Sequence, residues 1–150
     1  MAKWGSVDYR QIKKLQEKMA EFEEKELRDF CEAMAKEIAA RLLAMVIDRT
    51  PVVSGDLRRA WKADNSSLSV RREGDEYVIE IINSMSYSSY VEYGHRQEPG
   101  RYVPALGKRL KKSWVNGRFM LTRSEVEMDS KMPKILEKKL ERKLRELIDD

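Results

Sequence analysis

Few side chains in this sequence could do catalytic chemistry. His95 is the only histidine, so neither a paired-imidazole metal site nor a triad with a second acid/base histidine can be built, and we expect His95 to be a surface loop residue. Cys31 is the only cysteine, which excludes an internal disulfide and a thiolate metal cluster. Because Cys31 lies between Phe30 and Met34 on the apolar side of a helical pattern, we expect it to be a small hydrophobic residue in the core.

Other patterns associated with catalysis do not occur either. No serine lies in a Gly-x-Ser-x-Gly elbow, and Gly94, Gly100 and Gly107 do not have the spacing of a phosphate-binding loop. The carboxylates of the first helical pattern alternate with lysines, as Glu21 does with Lys25 four residues later, which is typical of a solvated face. We therefore predict that the protein is not an enzyme and that it binds no cofactor or metal.

Positive charge is concentrated in residues 94–124. Eight lysines and arginines there are opposed by one glutamate, Glu98, which gives a net charge of +7. Tyr102, Trp114 and Phe119 lie among these cations, as aromatic residues do in proteins that bind single-stranded nucleic acid. The candidate contacts with a subunit or with DNA are Arg96, Arg101, Tyr102, Lys108, Arg109, Lys111, Lys112, Trp114 and Arg118.

Three interpretations of this basic segment remain open. It can be a solvated loop, a contact with an acidic neighbouring subunit, or a surface that faces DNA, in which case the chain is a nucleic-acid-binding module that uses residues 96–123. The salt dependence of DNA affinity distinguishes a surface that faces DNA from a solvated loop, because phosphate contacts release counterions and make affinity fall steeply with salt. The chain itself carries a complementary acidic stretch, formed by Glu21, Glu23, Glu24 and Glu26 around Lys25.

The size and composition predict one folded domain over residues 1–150, since domains commonly hold about 100 to 200 residues. Apolar residues make up 41% and charged residues 37%, which excludes wholesale disorder, and the net charge of +4 is modest. No run reaches the roughly 18 to 20 apolar residues of a membrane span, and residues 1–10 lack the apolar stretch of a signal peptide. We expect cytosolic synthesis and no membrane partner.

The element that precedes these features is a long amphipathic helix or a helix pair over residues 1–48. Apolar residues recur at steps of three and four through residues 12–45, and one step of five, from Phe22 to Leu27, predicts a shifted face or a bend. An unbroken helix over residues 8–48 would be about 60 Å long, whereas a compact domain of this size is roughly 35 to 40 Å across. The excess length must fold back or be covered by another chain.

Residues 50–94 are predicted to form a turn, a short helix and a β-hairpin. Thr50-Pro51 ends the first helix, because proline disfavours helix in the residue before it. Ser54 is predicted to cap a short helix that runs through Trp61.

The hairpin consists of strand patterns at residues 68–72 and 76–82, which flank Glu73-Gly74-Asp75. We expect the sheet to pack one face on helix. Residues 86–93 suit a short helix that Gly94 ends.

The last part of the chain is predicted to be a basic loop over residues 95–121 followed by a helix over residues 122–150. Repeated glycine and proline favour a loop with one short helix. Thr122 and Glu125 form a capping-box pattern, and Pro133 is predicted to lie in a first turn or at a kink. The predicted class is α+β, with a long N-terminal helix, a small antiparallel sheet with a hairpin, short helices and a C-terminal helix.

Three short motifs occur in order around the predicted hairpin. They are Thr50-Pro51-Val52-Val53-Ser54-Gly55-Asp56-Leu57-Arg58, Tyr87-Ser88-Ser89-Tyr90-Val91-Glu92-Tyr93-Gly94 and Gly117-Arg118-Phe119-Met120-Leu121. In this order they resemble the tailed-bacteriophage minor structural proteins that serve as tail-completion or head-tail joining proteins, including those of defective, phage-like prophage particles of Gram-positive bacteria. The resemblance covers about residues 27–147.

The motif residues make sense as scaffolding. Pro51 and Gly55 are expected to fix a sharp turn, Tyr90 and Tyr93 to bury their rings with their hydroxyls at an interface, and Phe119 to anchor the entrance of the last helix. The expected scaffold positions are Pro51, Gly55, Leu57, Tyr90, Glu92, Tyr93, Gly94 and Phe119.

The resemblance implies an α+β protein without catalytic activity at the neck, where the tail meets the portal and connector. Related connector proteins assemble as rings, so the implied partners are other copies of this chain and other neck or tail proteins, with packaged DNA as a further contact. The implied location is the host cytoplasm during assembly and then the virion. The chain departs from the family pattern at His95-Arg96 and in the basic insertion over residues 97–116.

Overall fold

Two long helices, connected by short helices and paired strands, dominate the computed structural model, which describes residues 9–63 and 70–149. The helices are α1 (Tyr9–Arg49), α2 (Asp56–Arg59), α3 (Ser88–Tyr93) and α4 (Met120–Asp149). The strands are β1 (Trp61–Ala63), β2 (Arg71–Glu73), β3 (Glu76–Val78), β4 (Ile81–Asn83), β5 (Gly94–Arg96), β6 (Tyr102–Val103), β7 (Lys108–Arg109) and β8 (Trp114–Asn116). The predicted α+β class is confirmed.

α1 is one continuous helix of 41 residues, about 60 Å long at 1.5 Å per residue. The alternative of a helix pair is wrong for the described residues, because neither glycine nor proline interrupts the segment and ion pairs at i,i+4, such as Glu24 with Arg28 and Glu37 with Arg41, support it. Thr50 follows its end, as predicted. None of the described helices has the length and apolar content that crossing a membrane requires.

α4 runs antiparallel to α1. Three ion pairs between the helices fix this direction: Arg49 with Glu127, Glu37 with Lys139, and Glu26 with Lys143. Each successive pair lies nearer the N-terminus of α1 and nearer the C-terminus of α4.

α4 begins at Met120, two residues before the predicted start. Pro133 therefore lies well inside the helix, and its predicted place in a first turn is wrong.

The N-terminal part of α1 extends beyond α4. Seventeen residues of α1, 9–25, precede Glu26, whereas six residues of α4, 144–149, follow Lys143. At 1.5 Å per residue, these lengths are about 25 Å and about 9 Å, so α1 projects roughly 15 Å past the end of its neighbour. The excess predicted from the sequence is not folded back.

The core lies where the C-terminal end of α1 meets the start of α4. Val46, Leu57, Trp61 and Met120 are buried together. Partly buried apolar side chains surround them, namely Leu42, Leu43, Ile47, Ile81, Met85, Val91 and Leu121. Each element near this cluster therefore contributes to one apolar centre, which explains why short segments such as α2 and β1 can be ordered.

The strands form antiparallel pairs, and the predicted hairpin is confirmed in shortened form. β2 pairs with β3 across a turn at Gly74, which has φ +63°. The predicted second strand, residues 76–82, is wrong in its length, because its last residues form β4 and pair with β1 instead. The predicted start of the first strand, at residues 68–69, lies outside the described residues.

Residues 94–118, which we term the arm, contain strands where the sequence predicted a loop. β5 pairs with β8 and β6 pairs with β7, and a 3-10 turn at Pro104–Leu106 connects the inner pair. The loop prediction was wrong because β5 and β8 are about twenty residues apart in sequence, and strands of two or three residues are too short to show a period-two alternation.

Candidate functional site

The first motif closes the C-terminal end of α1. The indole nitrogen of Trp61 donates to Thr50 Oγ1 at 2.8 Å, and that hydroxyl donates to the carbonyl of Val46 at 2.7 Å. Trp61 lies in β1, so the predicted helix through Trp61 is wrong: α2 ends at Arg59. The Thr50 hydroxyl thus connects the end of α1 to the strand that packs on it.

The Leu57-Arg58 part of this motif also serves the helix end. Arg58 Nε donates to the carbonyl of Ile47 at 2.9 Å, which satisfies one of the carbonyls that every helix C-terminus leaves free. Leu57 is buried in the core, and its carbonyl accepts a hydrogen bond from Asn83 Nδ2 at 2.9 Å. The motif is therefore a clamp between α1, α2 and β4.

Gly55 makes the turn between these elements. It has φ +85°, a left-handed conformation that glycine adopts readily, and its carbonyl accepts the first hydrogen bond of α2 from Arg59 at 3.0 Å. The cap of α2 is thus Gly55 and not the predicted Ser54, although Ser54 Oγ accepts a hydrogen bond from the amide of Asp56 at 3.3 Å. Pro51, which directly follows α1, is half-buried.

Glu92, in the second motif, caps α4 from another element. Its carboxylate accepts hydrogen bonds from the amides of Leu121 at 3.0 Å and Thr122 at 2.9 Å and from the Thr122 hydroxyl at 2.8 Å. The capping box predicted for Thr122 and Glu125 is wrong, because the helix starts two residues earlier. A carboxylate at a helix N-terminus also interacts favourably with the helix dipole.

Two glycines form the base of the arm by direct backbone contact. A Cβ on Gly117 would lie 2.3 Å from the carbonyl oxygen of Glu92, and one on Gly94 would lie 2.4 Å from that of Val115. Phe119 follows with φ +50° and donates its amide to the Glu92 carbonyl at 3.0 Å. It is the residue that enters α4, as predicted. The motif sequence contains Gly117, but its role was not recognised from the sequence.

The tyrosines of the second motif face outward. Tyr87, Tyr90 and Tyr93 have 38%, 58% and 62% of their surface exposed, so the prediction that Tyr90 and Tyr93 bury their rings is wrong for the isolated chain. The Tyr90 ring meets the His95 ring edge to face, with centroids 5.8 Å apart. His95 is half-buried beneath this surface, and its Nδ1 has no hydrogen-bond partner.

The arm brings the predicted contact residues together on one projecting element. All nine are exposed, as the burial along residues 96–118 shows. Arg109 donates to the carbonyl of Gly100 at 2.7 Å. No arm residue takes part in any ion pair found among the described residues; those pairs involve the helices, the α2 region and the hairpin.

Trp114 lines two clefts of the arm. The first, of about 740 Å³, is lined by Arg96, Gln97, Glu98, Arg101, Ser113 and Trp114. The second, of about 460 Å³, is lined by Lys112, Trp114, Val115, Asn116, Gly117 and Arg118. Because Trp114 is 47% exposed, it presents a flat apolar surface among cations.

The acidic stretch of α1 is already partly neutralised. Glu24 pairs with Arg28 at 3.2 Å within α1, and Glu26 pairs with Lys143 of α4 at 2.7 Å. The side chains of Glu21 and Glu23 lie outside the described residues. The α1 carboxylates therefore contribute to helix packing as well as to the solvated face that the sequence predicted.

An open apolar groove of about 640 Å³ lies between α1, α4 and the strands β3 and β4. Cys31 lines it together with Met34, Ile38 and Leu136. The thiol is half-buried rather than fully in the core, although it keeps the expected apolar surroundings. Among the residues that the structure describes, no group of three or more His, Cys, Asp or Glu side chains is arranged to hold a metal ion.

Comparison with protein families adds a match over the first part of the chain. Residues 13–94, which are 82 of the 150 residues, match the model of the HK97-gp10-like family, described as "Bacteriophage HK97-gp10, putative tail-component". The match includes α1 from residue 13 onward, the motif around Thr50 and Leu57, and α3 with Glu92, and it ends where the arm begins. No curated protein and no solved structure matches the chain.

Proposed function

The chain belongs to the HK97-gp10-like family of phage tail components, and on this premise we propose that it is the subunit that completes the tail and joins it to the head. Tail components are structural parts of the virion, so its final location is the assembled particle. It works through contacts between proteins, not through catalysis.

The exposure of the motif tyrosines carries this proposal. In one short segment, Glu92 and Gly94 are committed to the cap of α4 and the base of the arm, whereas Tyr87, Tyr90 and Tyr93 contribute little to the core and face solvent. Tyrosine is enriched at protein interfaces because its ring gives contact area and its hydroxyl gives a hydrogen bond. The segment therefore has one side for folding and one side for a partner.

A second copy of the chain is the first partner that we propose. The N-terminal part of α1 projects roughly 15 Å beyond α4, and the tyrosines lie near the opposite end of α1, beside the start of α4. Two different surfaces at opposite ends of one molecule suit a head-to-tail contact, which closes into a ring when the rotation between copies permits. Other neck and tail proteins would bind the faces of such a ring.

The test is a double variant, Tyr90→Ser with Tyr93→Ser, purified as the full chain. Loss of two interface aromatic residues should weaken self-association by about 30-fold or more, because even one hot-spot residue contributes at least ~2 kcal/mol. Light scattering should show a smaller mass, and the variant should fail to restore complete tailed particles in electron micrographs.

The matched control is Val126→Ser, which changes an apolar side chain of α4 that is 67% exposed. Circular dichroism should show unchanged helix content for both variants. An unchanged mass together with normal particles for the tyrosine variant would refute the proposed interface.

A further inference from the structure

Within residues 9–63 and 70–149, no ion pair joins a cation of the arm to a carboxylate. Seven lysines and arginines lie in residues 94–118, and the only carboxylate in that range is Glu98. Elsewhere, arginine and lysine side chains are commonly paired: Arg41 with Glu37, Arg49 with Glu127, and Lys131 with Glu127. Since unpaired like charges repel one another, a projecting element with a net charge of +6 calls for an anionic partner.

The shape of the arm restricts that partner. It is a two-stranded antiparallel ribbon that begins at the pairing of Gly94 with Asn116 and continues through the pairing of Tyr102 with Arg109. The ribbon is roughly 30 Å long at about 3.3 Å per residue. Its cations lie on both strands of the ribbon, where they can follow a phosphate backbone.

The surroundings of Trp114 suit a nucleotide. The two clefts that it lines, of about 740 and 460 Å³, are of a size that small ligands occupy. Arg96 and Arg101 line one cleft, and Lys112 and Arg118 line the other. An exposed indole between such cations offers a stacking surface for a base while the cations hold the flanking phosphates.

A second copy of this chain fits the arm less well than DNA does. The acidic part of α1 has Glu24 and Glu26 engaged with cations of its own molecule. Lysine is depleted at protein interfaces, whereas Lys108, Lys111 and Lys112 make up almost half of the arm cations. Both observations favour a phosphate backbone over an acidic protein surface.

We propose that the arm is a DNA-binding element: its lysines and arginines bind backbone phosphates, and Trp114 stacks on a base. This inference goes beyond the proposed assembly role and does not depend on it. Under this proposal the tyrosine surface binds another protein subunit and the arm binds DNA.

The experiment measures binding of the full chain to fluorescently labelled 20-nucleotide DNA, as a single strand and as a duplex, by anisotropy between 50 and 200 mM salt. Two double variants remove arm charge: Arg96→Gln with Arg101→Gln, and Lys111→Gln with Lys112→Gln. Each should weaken binding about tenfold and reduce the slope of log affinity against log salt by about 1.5 to 2.

The control is Lys134→Gln with Lys138→Gln, which removes the same charge from the exposed face of α4, where Glu137 and Glu141 alternate with the cations. This variant should keep at least half of the wild-type affinity. Equal losses in the control and the arm variants would overturn the assignment to the arm, because any positive surface would then suffice.

Trp114→Ala tests the stacking contact. It should weaken binding to the single strand about tenfold, while Trp114→Phe, which keeps a ring, should lose less than threefold. Duplex binding that is tighter than single-strand binding and insensitive to Trp114→Ala would overturn stacking.

Light scattering on each variant separates this proposal from the assembly role. Absence of DNA binding at 50 mM salt would overturn the proposal. If the wild-type chain bound no DNA and the arm variants had a lower oligomeric mass, the arm would be a protein contact. If the mass of the arm variants were unchanged, the tyrosine surface would remain the proposed interface between copies.

Discussion

Glu92 does for α4 what a serine or aspartate at the cap position of a helix usually does. Phe119 occupies that position and has no side-chain acceptor, so the amides of Leu121 and Thr122 would be unsatisfied without the carboxylate that arrives from α3. At 5% exposure, Glu92 is the one buried charged residue among those described. A single side chain thereby fixes the position of α3 relative to α4.

Glu92→Ala should lower the free energy of unfolding by about 2 to 3 kcal/mol. It removes two hydrogen bonds to helix amides and one from the Thr122 hydroxyl, of about 1 kcal/mol each. Urea denaturation followed by circular dichroism gives the change.

The matched control for this variant is Glu98→Ala, an exposed arm carboxylate, which should change stability by less than about 0.5 kcal/mol. Equal effects of the two substitutions would show that the cap does not stabilise α4.

Among the elements, the arm stands apart from the core. The core residues Val46, Leu57, Trp61 and Met120 all come from α1, α2, β1 and α4, whereas the side chains of the arm are mostly exposed and its strands pair with each other. Outside itself, the arm contacts mainly α3. The stability of the fold should therefore depend little on the outer part of the arm.

Replacement of residues 97–113 by Asn-Gly tests this separation. Arg96 and Trp114 are direct partners in the β5–β8 ladder, so a two-residue turn that favours tight hairpins can join them. The melting temperature should change by less than about 5 °C, because no core residue is removed. DNA affinity should fall at least tenfold. A loss of helical signal at 25 °C would show that the outer arm supports the fold.

In the whole molecule, ion pairs along the interface of α1 and α4 make stability depend on pH. Hydrogen bonds from Lys131 and Arg49 lower the pKa of Glu127 from 4.5 to about 2. Hydrogen bonds from Arg41 and Lys139 lower the pKa of Glu37 as well. A carboxyl group whose pKa is lower in the folded state binds protons more readily in the unfolded state, so these groups stabilise the fold above pH 4.5.

The melting temperature should therefore be nearly constant just above pH 5 and fall as the pH is lowered from about 4.5 towards 2. Differential scanning calorimetry over this range tests the sign. Glu127→Gln should reduce stability at pH 6 and show a shallower decrease below pH 4.5. A variant that paralleled the wild-type chain at every pH would exclude a contribution from this carboxyl group.

The net charge is distributed unevenly between the arm and the rest of the molecule. The arm has a net charge of +6 and the whole chain has a net charge of +4, so the rest of the chain has a net charge of −2. A charged arm on a nearly neutral body can orient the molecule as it approaches a polyanion. This division supports separate partners for the arm and for the tyrosine surface.

The sequence by itself determined the features that depend on neighbouring residues. Periodicity predicted α1, Thr50-Pro51 predicted its end, Gly74 marked the hairpin turn, and Gly94 ended α3. These signals are local, because a helix or a tight turn is decided by the conformations and hydrogen bonds of residues within a few positions. The three ordered motifs also led to the family, without revealing what each residue does.

The tertiary structure alone decided the features that join distant residues. The carboxylate of Glu92 caps a helix about thirty residues later, and β5 pairs with β8 some twenty residues away. Glu92 and Tyr90 belong to the same motif, yet Glu92 is buried and Tyr90 is exposed. The motif could not predict this difference, because burial depends on which other segments pack against each residue. Local patterns record the preferences of a segment, whereas caps, pairings and exposed surfaces depend on where the folded chain brings other segments.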